Sequence, residues 1–358
     1  MSTFSDNMAP RPHRFDWVDI AKGICIVAVV GLYAGNEMVH VFGHAGWLEP
    51  WSAFAQPFRM PDFFLLSGLF LTSVMNRPWR HYLDTKVVHY AYFLVVWVTL
   101  LATYDMLFLG TTAPPGPGVL NLIKFYVWKL LYPDHMLWFV QTLPVFFVVT
   151  RLLRRVPPLL LWSVAAVALA MRIKTGVPPL NNFLGYYAFF LAGHFGAHWI
   201  FALADRAARH RAITLGLFVA WCFVNQWAVS SGAVLVPGGN LLFGLLGIAA
   251  VISLSSLLSP LKALSWLRYA GSNSIVIYLG FFIPLTLFLH IVSMQRLQIE
   301  PNLLATLALV LGAGAPVLLF LLVRKTALRF LFVRPAWAHL VRPRTQQVRV
   351  GMAEAPKS

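Results

Sequence analysis

Residues 19–33 read DIAKGICIVAVVGLY. The stretch opens with a carboxylate and a lysine, continues as an apolar helical run, and closes on Tyr33. Lys22 and Tyr33 are eleven residues apart, roughly 16 Å along a helix axis. If the helix lies in lipid, a group at Tyr33 sits about half-way into a hydrocarbon core of roughly 30 Å. The rest of the chain says that it does. Hydrophobic residues make up 59% of the 358 positions and charged residues only 11%, against about 25% charged in an average soluble domain. Mean hydropathy over the whole length is +0.71, so apolar sequence is not confined to a single anchor.

The hydropathy pattern predicts an all-α integral membrane protein with about ten transmembrane helices. They are expected near 15–34, 61–75, 86–109, 136–152, 158–171, 182–203, 213–229, 240–258, 273–292 and 303–323. The first run is read as a helix rather than a signal peptide, because no small-x-small cleavage pattern interrupts it and further spans come after it. Residues 1–14 are polar and are expected to be disordered. Residues 36–57 read as a loop whose Trp47 and Trp51 suit a membrane interface. The cluster TTAPPGPG is a breaker, and 120–131 is amphipathic enough to lie on the membrane surface. A basic, polar tail occupies 324–358, which leaves 15–323 as the membrane domain.

Net charge is +16. In a soluble protein that would suggest nucleic acid, but its distribution has a simpler origin. With the N-terminus in the cytoplasm, 22 lysines and arginines fall on the cytoplasmic side and 6 on the other. Lysine and arginine are retained inside, so the split supports both termini in the cytoplasm and no nucleic-acid partner. Cys25 and Cys222 both lie in apolar runs, and neither a CxxC nor an HExxH occurs. No disulfide and no metal site is expected.

Ionisable residues inside spans are costly and default to functional candidates. Here they include Lys22 and Asp19, Asp62, His89 and Asp105, His135, His194 and His290. Arg77, Arg80 and Lys86 precede His89 and are suited to an anion such as a phosphate; the same three residues also serve as a topology signal. Ser67-Gly68 suits close helix packing or the lining of a substrate path.

Four segments together resemble the acyltransferase 3 family of polytopic membrane acyltransferases. DIAKGICIVAVVGLY is similar to the family's opening helix, D-x-x-[RK]-G followed by apolar residues and V-V-x-x-H. FRMPDFFLLSGLFL at 58–71 resembles F-x-M-P-x-F-F-h-h-S-G. HMLWFVQTLPVFF at 135–147 resembles h-L-W-F-h-x-x-L, and GSNSIVIYLGFF at 271–282 resembles G-x-x-S-h-x-h-Y-h-x-x-H. Order and spacing agree across nearly the whole membrane part.

That resemblance implies transfer of an acyl group, acetyl or succinyl in class, from cytoplasmic acyl-CoA to a hydroxyl of an extracytoplasmic glycan or lipid. Acyl-CoA is a co-substrate, and no bound cofactor is expected. Lys22, Arg77, Arg80 and Lys86 are then the donor-binding candidates. The family's helix-one histidine acts as general base on the acceptor hydroxyl, a role that suits a group titrating near neutral pH. Its position here is Tyr33, and the family's late histidine falls on Phe281 or Phe282. Tyr33, His89 and His135 are the catalytic candidates, with His40 a further histidine two turns past Tyr33. Arg59, Asp62, Ser67 and Trp138 are candidates for the substrate path. Two other readings stay open: an impaired family member that binds or moves a lipid or glycan, and an unrelated polytopic transporter.

Overall fold

The computed structural model describes residues 15–109, 118–133 and 136–341. Within them every regular element is helical. The expected disordered start at 1–14, His135 and the tail beyond 341 lie outside the described residues. In chain order the α-helices are α1 (Asp16–Phe42), α2 (Leu48–Ala55), α3 (Arg59–Leu69), α4 (Thr72–Met75), α5 (Trp79–Leu83) and α6 (His89–Tyr104). They continue with α7 (Val119–Leu131), α8 (Trp138–Leu152), α9 (Pro158–Ala170), α10 (Pro178–Phe195), α11 (Ala197–Arg209) and α12 (Arg211–Ser230). The last five are α13 (Gly239–Leu258), α14 (Ser265–Ser272), α15 (Ser274–Gly280), α16 (Phe282–Met294) and α17 (Pro301–Val323). Single π-helical turns at Asp84–Val88 and Asp105–Leu109 bracket α6.

Five helices are long and apolar enough to cross a membrane, or up to seven when each bent pair counts as one span. The protein is therefore a multi-pass membrane protein, and the expected count of ten is not reached by length and composition. The other expected spans are present but short or broken. The helix expected at 61–75 is split into α3 and α4. With 15 residues, α8 reaches only about 22 Å.

Three expectations are corrected. The loop expected over 36–57 is mostly helical: α1 runs on to Phe42, and α2 comes next. Its stop signal is Gly43, whose φ of 79° is the left-handed conformation that ends helices; Gly35 and Asn36, inside the helix, do not stop it. The helix expected at 182–203 is broken by 75° between α10 and α11, at Gly196. The helix expected at 273–292 bends by 45° between α15 and α16, at Phe281.

Helix α1 is the axis of the bundle. In its most apolar window 72% is buried by protein, against 17% for α12, which faces outward. Glycines let two helices approach it or its neighbours backbone to backbone. A Cβ on Gly271 of α14 would collide with the Asp19 carbonyl of α1, and one on Gly23 with the Leu267 carbonyl. A Cβ on Gly68 of α3 would likewise strike the Phe190 carbonyl of α10. These contacts fix α14 against the first turns of α1, and α3 against α10.

The chain after α17 folds back onto α5 and α6. Arg334 donates to the Asp84 backbone carbonyl at 2.6 Å and to its carboxylate at 3.0 Å. The Leu340 amide donates to the other carboxylate oxygen at 2.7 Å. Higher on α6, Trp97 Nε1 donates to the Leu331 carbonyl at 3.0 Å.

Candidate functional site

Helices α1, α3, α6, α8, α14 and α15 enclose a cavity of about 260 Å³ near the Lys22 end of the bundle. Its polar lining includes Asp19, Lys22, Ser67, His89, Ser272 and Ser274, and its aromatic lining Phe63, Tyr90, Phe139 and Tyr278. The α1–α14 contact at Gly271 is what places Ser272 and Ser274 beside Lys22, because a larger residue would push the helices apart. Gly68 packs on the α10 backbone, and its neighbour Ser67 lines the cavity, its hydroxyl donating back to the Phe63 carbonyl at 2.7 Å. The two readings of Ser67-Gly68 are thus compatible: the glycine packs and the serine lines the cavity.

His89 enters this cavity from the first turn of α6, immediately after the π-helical turn Asp84–Val88. A π turn adds one residue to the ladder and rotates the helix beyond it. His89 also packs edge-on against Phe93, with ring centres 5.1 Å apart. Below it, the Asp84–Arg334 ion pair and His339 anchor the returning chain.

The basic cluster divides. Lys86 lies within electrostatic reach of Lys22 and Arg77, with its Nζ 4.6 Å from the Phe147 ring centre. Arg77 and Arg80 are exposed and do not line the cavity. Arg77 contacts His81 at 3.2 Å, and its carbonyl accepts from Arg151. Lys22 is therefore joined by Lys86, while Arg77 and Arg80 are exposed outside the cavity lining.

Tyr33 sits further along α1, outside the cavity lining. Its ring is 5.4 Å from Phe281 and 6.4 Å from Phe282. The Trp138 indole, Arg59 and Tyr186 lie within electrostatic reach of its hydroxyl. Trp138 stacks in turn on Tyr186 at 5.3 Å. The positions that the resemblance singles out on α1 and at the α15–α16 break are thus brought together as an aromatic cluster. On the same side, Arg59 donates to the Ser52 carbonyl at 2.8 Å. Asp62 is fully buried beside the Cys25 thiol. Neither of its oxygens has a hydrogen-bond partner among the described residues.

Of the candidates read from sequence, Lys22, Ser67 and His89 share one cavity. Tyr33, Trp138 and Arg59 form a second group, and Asp62 lies apart beside Cys25. His40 is on the extended α1 but exposed, and His194 pairs with Thr72 at 3.2 Å elsewhere. The residues missed were Ser272, Ser274 and Tyr278. All three lie in the quoted GSNSIVIYLGFF stretch, and the signal was its glycine. Tyr278 also donates to the Met136 carbonyl, which ties α15 to the start of α8.

A family model described as an acyltransferase domain matches residues 15–321. No curated protein and no solved structure matches the chain.

Proposed function

The chain belongs to the acyltransferase 3 family, and from that premise we propose that it moves an acyl group of the acetyl or succinyl class from acyl-CoA to a hydroxyl of an extracytoplasmic glycan or lipid. The observation that carries this reading is the shared cavity of Lys22, Ser67 and His89. Lys22, with Lys86 beside it, offers cations for the phosphates of acyl-CoA. His89 is the base the cavity offers. It takes the proton as the acceptor oxygen attacks the thioester carbonyl, a C–O bond forms, the C–S bond breaks, and coenzyme A leaves as the thiol carrying the proton. Tyr33 holds the aromatic wall through Trp138 and does not titrate in this scheme.

In this reading the chain crosses a bacterial inner membrane ten times, with both termini in the cytoplasm. The 22-to-6 distribution of lysine and arginine supports that orientation. Short helices such as α8 and α9 then span locally thin or protein-buried depth.

The ring packing of Tyr33 on Phe281 and Phe282 favours a second reading, an impaired member that binds or moves a lipid or glycan. Purified protein in proteoliposomes separates the two. Turnover of acetyl-, succinyl- or longer acyl-CoA that Lys22→Ala abolishes supports the transferase. Equal background in wild type and Lys22→Ala across all donors rejects it.

A further inference from the structure

A second cavity, of about 410 Å³, opens at the opposite end of the bundle between α9, α10, α13 and the start of α3. Its lining carries Arg172, Lys174, Gln56, Asn182 and Tyr186, and no carboxylate among the described residues. Lysine and arginine are disfavoured on the outer side of a membrane. Only 6 of the chain's 28 fall there in the topology proposed above, and two of the six line this one cavity. Arg172 is held at its edge by a hydrogen bond to the Leu235 carbonyl, on a backbone with φ of 51°. For a residue with a Cβ that conformation is strained and persists where the surroundings impose it. The side chains of Lys174, Gln56 and Asn182 have no partner among the described residues.

The cavity also lies next to the interior groups already described. Tyr186 forms part of its wall and stacks 5.0 Å from Phe64, which in turn lies 4.7 Å from Phe139, a lining residue of the inner cavity. One fully buried ring, Phe64, therefore stands between a residue of each cavity.

We propose that this outer cavity is where the acyl acceptor first binds from the outer side, before its hydroxyl meets the thioester, and that the acceptor is a polyhydroxylated compound bearing a phosphate or carboxylate. Arg172 and Lys174 take the anion, and the amides of Gln56 and Asn182 take hydroxyls, as they both donate and accept. The assignment rests on the transferase reading for the acceptor's role, but its binding chemistry is measured without acyl-CoA, so an inactive chain still answers the test.

The experiment is equilibrium binding of radiolabelled glucose 1-phosphate, glucuronate and glucose to the full chain in phosphatidylcholine nanodiscs. Both anions are expected to bind saturably and glucose about tenfold more weakly, the scale of one charge-assisted hydrogen bond. Lys174→Glu and Arg172→Gln should each weaken both anions about tenfold and leave glucose unchanged. Lys174 is exposed, so its replacement does not disturb the core; an unchanged thermal midpoint checks this. Discs containing phosphatidylglycerol separate the sources of the ligand. Loss of sugar-phosphate binding there assigns the site to a lipid headgroup, persistence assigns it to a glycan, and both outcomes uphold the anionic class. Equal affinity for glucose and the two anions, or anion binding untouched in both variants, overturns the proposal.

Discussion

The Tyr33 ring lies 5.4 Å from that of Phe281, tilted by 55°. One residue belongs to the middle of α1 and the other to the break between α15 and α16. Bending α15–α16 at Phe281 is what delivers that ring to α1, and the pair occupies positions where the family resemblance expects histidine. A ring packed against Phe281 and Phe282, with Trp138 near its hydroxyl, suits positioning better than proton transfer. Tyr33→Phe is accordingly expected to keep acyl-CoA turnover within a few-fold. A loss of about 100-fold or more, the scale of general acid–base catalysis, would make the tyrosine a reacting group.

His89 gives the opposite expectation. His89→Gln keeps a polar side chain of similar size but cannot act as the base. Turnover should fall by about 10²–10⁴-fold with little change in the KM for acyl-CoA. Steady-state kinetics in proteoliposomes reads both parameters, and a change confined to KM would place His89 in binding alone.

Gly271 tests the packing that builds the inner cavity. A side chain there meets the Asp19 carbonyl, which is backbone and cannot swing away. Gly271→Val should destabilise by at least about 1–3 kcal/mol, the range for overpacking. Thermal unfolding in detergent measures this; an unaltered midpoint would mean that α14 is free to shift off α1.

The Asp84–Arg334 pair is nearly sealed, with 5% and 4% side-chain exposure. Removing one partner strands a buried charge. Arg334→Ala should cost about 3–5 kcal/mol, and the double replacement with Asp84→Ala should recover part of that loss. Additive losses in the double-mutant cycle would show that the two residues act independently.

Glu300 caps α17, just ahead of the candidate membrane span Pro301–Val323. Backbone amides of Asn302 and Leu303 hold its carboxyl below the ordinary glutamate range, and the Leu303 N–H donates to Oε2 at 2.8 Å. For a depressed carboxyl the stabilising contribution is present above the unfolded value, near about 4.3, and is lost as pH falls through the folded value. Melting midpoints of wild type and Glu300→Gln should therefore converge at acid pH and separate, with wild type higher, toward neutrality. A constant gap across pH would remove the charge from the explanation.

Composition alone was enough to make this a helical membrane protein. Long apolar runs have no stable home in water, and in lipid a helix satisfies its own backbone. The order of residues also brought Lys22, Ser67 and the GSNS stretch into view as segments of one family pattern. Which of these residues meet is a matter of tertiary packing. Hydropathy carries no record of a 75° turn at Gly196 or a 45° bend at Phe281, because both breaks sit inside sequence that is apolar on either side. Helix α1 ran past Asn36 because tertiary packing outweighed local propensity. The opening stretch DIAKGICIVAVVGLY thus serves two places: Lys22 reaches a polar cavity with His89, and Tyr33 joins a wall of rings. A spacing of eleven residues sets their distance along the axis, but the neighbours on α6, α14 and α16 set the chemistry at each end.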